Sequence, residues 1–225
     1  MADGDQGVVT LFLIRHGHVD SHEGDVPLTT KGEEAARRAG ECLAQQIDGP
    51  LLRFSGQPLR ARQTTTAMEQ GLRARCPRLL QQPSGVALGL RNPDLYLSGQ
   101  RIEMVSTAEA LAEQVAAVTS SELARHPFFG RFLVAADRVG WWLSHASPPG
   151  EDAPAVAARV QAFGHSLVPV GPTSVTVLGV THSPVLRAVG LTHSGADPGE
   201  PGYLRGYRIV IAKHGYANVT PITLA

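Results

Sequence analysis

Two histidines stand at the ends of the two segments that best fit buried strands. An Arg-His-Gly sequence at His16 ends the apolar run 8–16, and a Thr-His-Ser sequence at His182 follows the run 174–180. Nearly continuous apolar runs of this length are typical of strands buried on both faces of a parallel sheet. Because ligands of open α/β sheets bind beyond the carboxyl ends of the strands, we expect both imidazoles to converge at one sheet edge. Gly17 has no side chain to obstruct a ligand or the second histidine.

Arginine is the second residue type that could do chemistry here. Arg15 directly precedes His16, whereas Arg60 and Arg62 follow a predicted strand at the beginning of a helix. The planar guanidinium group suits bidentate binding of phosphate or carboxylate. Since side chains two positions apart diverge on a helix, we expect at most one of Arg60 and Arg62 to point into the site.

Alternating strands and helices must position these residues. The pattern predicts a helix over 28–47, where Thr29 or Thr30 can cap the first turn. The other predicted helices cover residues 58–75, 107–125, 131–145 and 153–167, and one begins near 184. The other predicted strands cover residues 52–55 and 207–212, with a further one at 218–224.

This alternation indicates an α/β fold with a mostly parallel, twisted sheet. The chain shows no internal repeat and no long linker, so residues 1–225 are predicted to form a single domain. Residues 81–100 are rich in Gly and Pro and are predicted to be irregular. Together with the two helices that follow, they form a mainly helical insertion at about 81–147.

Composition excludes several functional classes. The 225 residues include 20 basic and 20 acidic side chains, and this balance argues against a nucleic-acid partner, which would need a basic face. No apolar run approaches the ~18 residues of a membrane span. The acidic amino terminus lacks the pattern of a signal peptide, and Cys42 and Cys76 form no metal-binding pair. We therefore expect a soluble, cytoplasmic protein without a membrane partner.

Five segments, in order, resemble motifs of the histidine phosphatase (phosphoglycerate mutase-like) superfamily. The segment LFLIRHGHVD resembles its Arg-His-Gly signature, and SGQPLRARQTTTA resembles its arginine segment, with Arg60 in the arginine position. The other three are PLTTKGEEAA, PPGEDAPAVAARV and VLGVTHSPVLRAV, which resemble its first helix start, its Gly-Glu helix start and its second-histidine strand. The resemblance implies a three-layer α/β/α sandwich and the phosphatase branch of the superfamily.

The resemblance also implies the roles of individual residues. His16 would be the nucleophile, and Arg15, Arg60 and His182 would bind the phosphoryl group without a metal or another cofactor. Such donors can stabilise charge on the transferring oxygens, and a phosphohistidine divides one displacement into two easier ones. Attack needs a neutral His16, whereas His182 would act best as a cation. The predicted activity is that of a metal-independent phosphomonoesterase acting on a small phosphorylated metabolite.

The sequence departs from the family pattern at several positions. His18 and Val19 follow the signature in place of Glu or Gln and Thr or Ser, and His22 stands where asparagine is common. Ser183 replaces the usual glycine and removes the His-Asp pair of the acid phosphatase and phytase branch. The other branch takes its general acid from a glutamate in the irregular segment. No glutamate lies between residues 70 and 101, so the candidate acids are Asp94 and then Glu103.

Three alternatives remain open. The same residues could serve a phosphoglycerate mutase-type phosphotransferase or a phosphate-binding module without turnover. A metal-dependent hydrolase could instead use His16, His18, Asp20 and His22, although Arg15 would place a permanent cation beside the metal. The fold class also allows a homodimer.

Overall fold

A six-stranded sheet lies at the centre of the part of the chain that the structure describes. The structure is a computed structural model, and it describes residues 7–22, 24–47, 49–77, 82, 84–105, 107–169, 173–212 and 215–224. The strands are β1 (Val9–Arg15), β2 (Leu51–Ser55), β3 (Gly85–Val86), β4 (Leu95–Leu97), β5 (Gln100–Ile102), β6 (Val175–Thr181), β7 (Arg205–Ala212) and β8 (Gly215–Thr223). Their order in the central sheet is β3-β2-β6-β1-β7-β8, while β4 and β5 form a separate hairpin.

The strand register places both candidate histidines at one edge of this sheet. Strands β3, β2, β6 and β1 are parallel, and β7 and β8 continue the sheet in antiparallel orientation. Arg15 lies opposite Thr181 at the carboxyl ends of β1 and β6. The amide of His16 donates a hydrogen bond of 3.0 Å to the carbonyl of Thr181, which joins the two strand ends.

Helices cover both faces of the sheet, which confirms the predicted α/β/α arrangement. The helices are α1 (Thr30–Ala44), α2 (Leu59–Arg75), α3 (Ala108–Ala112), α4 (Ser120–Arg125), α5 (Phe129–Val134), α6 (Arg138–Ser144), α7 (Ala153–His165) and α8 (Ser183–Ser194). Phe12 and Ile14 of β1 share a core with α1 and α2, and Leu11 and Leu13 share the opposite core with α7 and α8. All four side chains are fully buried, which stabilises the fold by about 1.5–3 kcal/mol each.

The predicted long helices over 107–125 and 131–145 are wrong, because each segment forms two short helices. Thr119 caps α4 through a reciprocal pair of hydrogen bonds with Glu122, and the Asp137 side chain accepts a hydrogen bond from Gly140 at the beginning of α6. These caps begin a new helix in the middle of each predicted one.

Helices α3 to α6 pack on the same core as α7 and α8, through side chains such as Phe129 and Trp142. Within the segment predicted to be irregular, the structure contains β3, the β4–β5 hairpin and a 3-10 helix at Leu88–Leu90. Residues 81, 83 and 106 of the predicted insertion lie outside the described residues. Among the helices described, none has the length and apolarity needed to cross a lipid bilayer.

Candidate active site

His16 and His182 lie beside each other beyond the carboxyl ends of β1 and β6. Their ring centroids are 5.5 Å apart, and each residue is only 2% exposed. His16 directly follows β1, and His182 is the N-cap residue of α8. The parallel pairing of the two strands therefore produces the juxtaposition that the sequence predicts.

A backbone contact determines which nitrogen of His16 can react. Nδ1 lies 2.8 Å from the carbonyl oxygen of Gly17. Since a carbonyl only accepts, Nδ1 carries the proton and Nε2 carries the lone pair. Burial is the largest effect that lowers the pKa of His16 to about 3; the Gly17 contact opposes it, and Arg60 and Arg15 lower it further. His16 is therefore neutral at pH 7, as nucleophilic attack requires.

His182 has no hydrogen-bond partner for either ring nitrogen among the described residues. Burial lowers its pKa well below the usual value, and the nearby His16, Arg60 and Arg15 act in the same direction. The predicted cationic His182 concerns the phosphate-bound protein, so it stays a prediction. A side chain at residue 56 would lie 2.9 Å from Nε2, so Gly56 makes room for this ring.

The two predicted arginines lie around these rings. Arg15 contacts Glu200 at 2.8 Å, and its guanidinium carbon lies 4.5 Å from the centre of the Tyr203 ring. Arg60 donates a hydrogen bond of 3.2 Å to the Gly24 carbonyl. The Nε atoms of both arginines are buried without a partner among the described residues.

A cavity of about 200 Å³ lies between these groups, and its volume suits a phosphoryl group. Four of the side chains that line it are those predicted to bind phosphate or react: Arg15, His16, Arg60 and His182. The exposed Arg62 is absent from this lining, which agrees with the expectation that only one of the two arginines on α2 faces the site. Positive charge and hydrogen-bond donors therefore converge on a space that can hold an anion.

The loop after β1 differs from the prediction in one respect. A side chain at residue 17 would contact the carbonyl of Gly32 at 3.1 Å, so Gly17 makes room for the beginning of α1 and not for a ligand. Nδ1 of His18 lies 3.0 Å from the hydroxyl of Thr29, the N-cap residue of α1. His22 instead lines the cavity, with its ring centroid 5.8 Å from that of His16.

The four residues of the metal-dependent alternative do not form a metal site. Asp20 is exposed, and Nδ1 of both His16 and His18 is engaged by oxygen atoms of the protein. Among the described residues, no group of three or more His, Cys, Asp or Glu side chains is arranged to hold a metal ion.

Comparison with known proteins agrees with this arrangement. The family model of the histidine phosphatase superfamily (branch 1) matches residues 11–80, the segment that supplies Arg15, His16 and Arg60. The resemblance to the histidine phosphatase superfamily is confirmed. In a sequence comparison, no curated protein matches the chain.

Three solved structures show the same fold as this chain. Phosphoglycerate mutase from Bacillus anthracis str. Sterne has a TM-score of 0.58 and 18% identity, with 98% of this chain and 95% of that chain covered. YhfR from Bacillus stearothermophilus has a TM-score of 0.57 and 21% identity, with 95% and 96% covered. A mycobacterial glucosyl-3-phosphoglycerate phosphatase has a TM-score of 0.56 and 17% identity, with 97% of each chain covered.

The geometry does not favour Asp94, the first candidate for the histidine phosphatase general acid. Its carboxylate accepts hydrogen bonds from Arg91 and Arg101, and it is absent from the linings of the described cavities around His16. Burial alone would raise the pKa of Asp94, but the two arginines lower it to about 2. Both carboxylate oxygens are occupied by guanidinium donors, so the group is held in its ionised form away from the cavities. Glu103 instead lines a larger adjoining cavity.

Sequence reasoning missed several side chains at this histidine phosphatase-like site. Glu200 and Tyr203 come from the loop between α8 and β7, which is rich in Gly and Pro and has no periodic pattern. Asn92 follows the 3-10 helix and lines both cavities. The sequence holds one signal for Asn92: it lies in the irregular segment that is expected to supply the general acid.

Proposed function

We propose that this protein is a phosphomonoesterase that works through a phosphohistidine at His16. One observation carries the proposal: the buried, neutral His16, whose Nε2 has the free lone pair, lines a cavity large enough for a phosphoryl group together with Arg15, Arg60 and His182. A structural histidine would need neither this tautomer nor two guanidinium groups beside an open space.

The residues support a two-step reaction. Nε2 of His16 attacks phosphorus, the ester P–O bond breaks, and the departing oxygen takes a proton from a general acid or from water. A water molecule then attacks phosphorus and gives one proton back to the group that protonated the leaving oxygen. The P–N bond breaks, and phosphate leaves with the imidazole neutral again. Arg15, Arg60 and His182 donate hydrogen bonds to the oxygens that carry the transition-state charge.

Glu103 is the carboxyl group best placed among the predicted acids to serve the leaving group. It lines the larger cavity beside Arg60, where the leaving group of a bound ester would lie, and its side chain is 44% exposed. Asp94 remains bound to its arginines, so it supports the local structure instead.

Hydrolysis is favoured over transfer by the charge of the larger cavity. A mutase for carboxylated sugar phosphates needs a cationic pocket around the substrate. The cavity that adjoins the phosphate site instead has three acidic side chains, Asp25, Glu103 and Glu113, beside two arginines, Arg60 and Arg101. A phosphate-binding module without turnover would not need the neutral His16, so a catalytic function accounts for more of the site.

The test is phosphate release from a small aryl phosphate in the presence of a metal chelator. Wild-type protein should turn over without added metal, and His16→Ala should lose at least ~100-fold in kcat, the scale expected for a covalent nucleophile. His193→Ala, which removes an exposed histidine near the end of α8, is the matched control. Full activity of His16→Ala, or loss of wild-type activity on chelation, would overturn the proposal.

A further inference from the structure

The larger cavity adjoins the phosphate site and has about 730 Å³ of space. The two cavities share lining residues, among them Arg60 and Asn92. An ester whose phosphate lies against His16 and Arg60 would therefore extend its leaving group into this larger space. Its volume suits a leaving group of several heavy atoms.

The charges around this space are mainly negative once a phosphate is bound. Asp25, Glu103 and Glu113 line it, and the cations in its lining are Arg60 and Arg101. The charge of Arg60 is directed at the phosphoryl group. Arg101 is paired with Asp94 and with Glu103, at 2.9 Å from the latter.

Asn92 is an independent sign of a ligand. The residue is only 8% exposed and lines both cavities, and its Oδ1 accepts no hydrogen bond within the described part of the chain. A buried polar oxygen without a partner is costly. A ligand that donates a hydrogen bond to this carboxamide would remove that cost.

The geometry points to a leaving-group subsite that selects hydrogen-bond donors and rejects a second anion. Building on the phosphatase function proposed above, we propose that the substrates are phosphate monoesters of amino alcohols. Uncharged polyol phosphates are accepted less well, and carboxylated phosphates such as phosphoglycerate are disfavoured. An ammonium group placed near Asp25 and Glu113 gains favourable electrostatic energy, whereas a carboxylate there meets like charges.

The first test compares three esters of similar size: phosphoethanolamine, glycerol 1-phosphate and 3-phosphoglycerate. We expect kcat/KM to fall in that order. The difference between the first and the last ester should be about tenfold or larger, because each exposed charge contact changes the binding free energy by a modest amount and several contacts add together. Equal values, or a preference for 3-phosphoglycerate, would overturn the inference.

The second test changes one charge of the lining. Glu113→Gln should reduce the preference for phosphoethanolamine over 3-phosphoglycerate by about threefold, which is the scale of one partly exposed charge. Glu109→Gln on the same helix is the matched control, because Glu109 is exposed and lies outside the cavity lining. An unchanged preference in Glu113→Gln would contradict the assignment of this cavity.

A binding measurement tests the subsite independently of the proposed catalysis. Isothermal titration of the same three esters into His16→Ala measures their affinities without turnover. If no ester is hydrolysed by the wild-type protein, the phosphatase proposal fails, yet the order of affinities still decides the charge preference of the subsite. If the esters are hydrolysed but 3-phosphoglycerate binds as tightly as phosphoethanolamine, the subsite inference alone fails.

Discussion

The carbonyl of Gly17 engages Nδ1 of His16, whereas neither nitrogen of His182 has a partner among the described residues. This difference assigns the two imidazoles to different tasks. His16 has a fixed tautomer and an exposed lone pair, as a nucleophile requires. His182 is buried and neutral without an anion, and a bound dianion would supply the negative charge that favours its protonated form.

Anion binding should therefore be accompanied by proton uptake at His182. The pKa of His182 lies well below 6.5 in the free protein and should rise when sulfate occupies the cavity. Titration calorimetry with sulfate at pH 6, in buffers of different ionisation enthalpy, measures this uptake. His182→Asn should bind sulfate more weakly and without uptake; uptake that persists in this variant would assign the proton to another group.

Asp94 and Glu103 should respond differently to loss of their charge. Asp94→Asn should lower the free energy of unfolding by about 1–3 kcal/mol, because it weakens charge-assisted hydrogen bonds from Arg91 and Arg101. Glu103→Gln should instead slow hydrolysis of alkyl phosphates more than that of aryl phosphates, since good leaving groups need little protonation. Urea unfolding and kcat for both ester types measure the two effects. A leaving-group-dependent loss in Asp94→Asn would restore Asp94 as the acid.

The sequence predicts the residues that follow buried strands better than those of irregular loops. His16 and His182 could be placed because strand ends in a parallel sheet share an edge. Glu200 and Asn92 could not, because their positions depend on loop paths that no periodicity encodes. For Asp94, residue type and position indicated an acid, whereas the structure shows that Arg91 and Arg101 occupy both of its carboxylate oxygens.

At the scale of elements, the loop between α8 and β7 supplies the carboxylate that pairs with Arg15. Glu200 in this loop contacts Arg15 at 2.8 Å and lines the phosphate cavity. Arg187 of α8, which is 1% exposed, donates to Asp197 of the loop and to Asp137, the N-cap residue of α6. The Arg187 side chain thus joins the loop to α8 and α6, and the Glu200 carboxylate of this loop lies where the proposed phosphate would approach.

Glu200→Gln should strengthen phosphate binding. Removal of its charge frees Arg15 and lowers repulsion of the anion, so the inhibition constant of inorganic phosphate should fall by about threefold, the scale of a partly exposed ion pair. Competitive inhibition by phosphate measures the change, with Glu109→Gln as an isosteric control away from the cavity. Weaker inhibition in Glu200→Gln would mean that Glu200 holds Arg15 in position for the anion instead of competing with it.

The segment 107–125 shows why the sequence pattern predicts one long helix where the structure has two short ones. Apolar periodicity continues across residues 107–125, so the pattern predicts one helix. Thr119 and Glu122 form a capping box inside this range, and that local signal outweighs the periodicity. Both N-cap signals, Thr119 before α4 and Asp137 before α6, are present in the sequence. To use them, a prediction must allow a Thr or Asp to begin a new helix inside a continuous apolar pattern.

At the scale of the whole molecule, alternating strands and helices predict the layers but not the strand order. The two cores follow from alternate side chains of β1, such as Leu13 and Ile14, which the sequence shows as apolar on both faces. Strand β7 pairs with β1 and with β8 in antiparallel orientation, which the alternation of strands and helices does not predict. The parallel pairing of β1 with β6 brings Arg15, His16 and His182 together, and the pairing of β2 with β6 places α2, which carries Arg60, beside them.

The buried histidines should make the fold sensitive to mild acid. The folded-state pKa of His16 is lowered to about 3 and that of His182 well below 6.5, so both stay neutral while the unfolded chain takes up protons. The free energy of unfolding therefore decreases as pH falls below 6.5, by about 1.4 kcal/mol per pH unit for each histidine. The lowered pKa values of Asp94 and Asp137 affect stability only below about pH 4, where the stabilisation that these two carboxylates provide is lost.

Urea unfolding at pH 7 and pH 5 should show the decline in the free energy of unfolding. His182→Asn should reduce this decline, whereas His193→Asn should not. A stability that is equal at both pH values would show that the imidazoles are protonated in the folded protein.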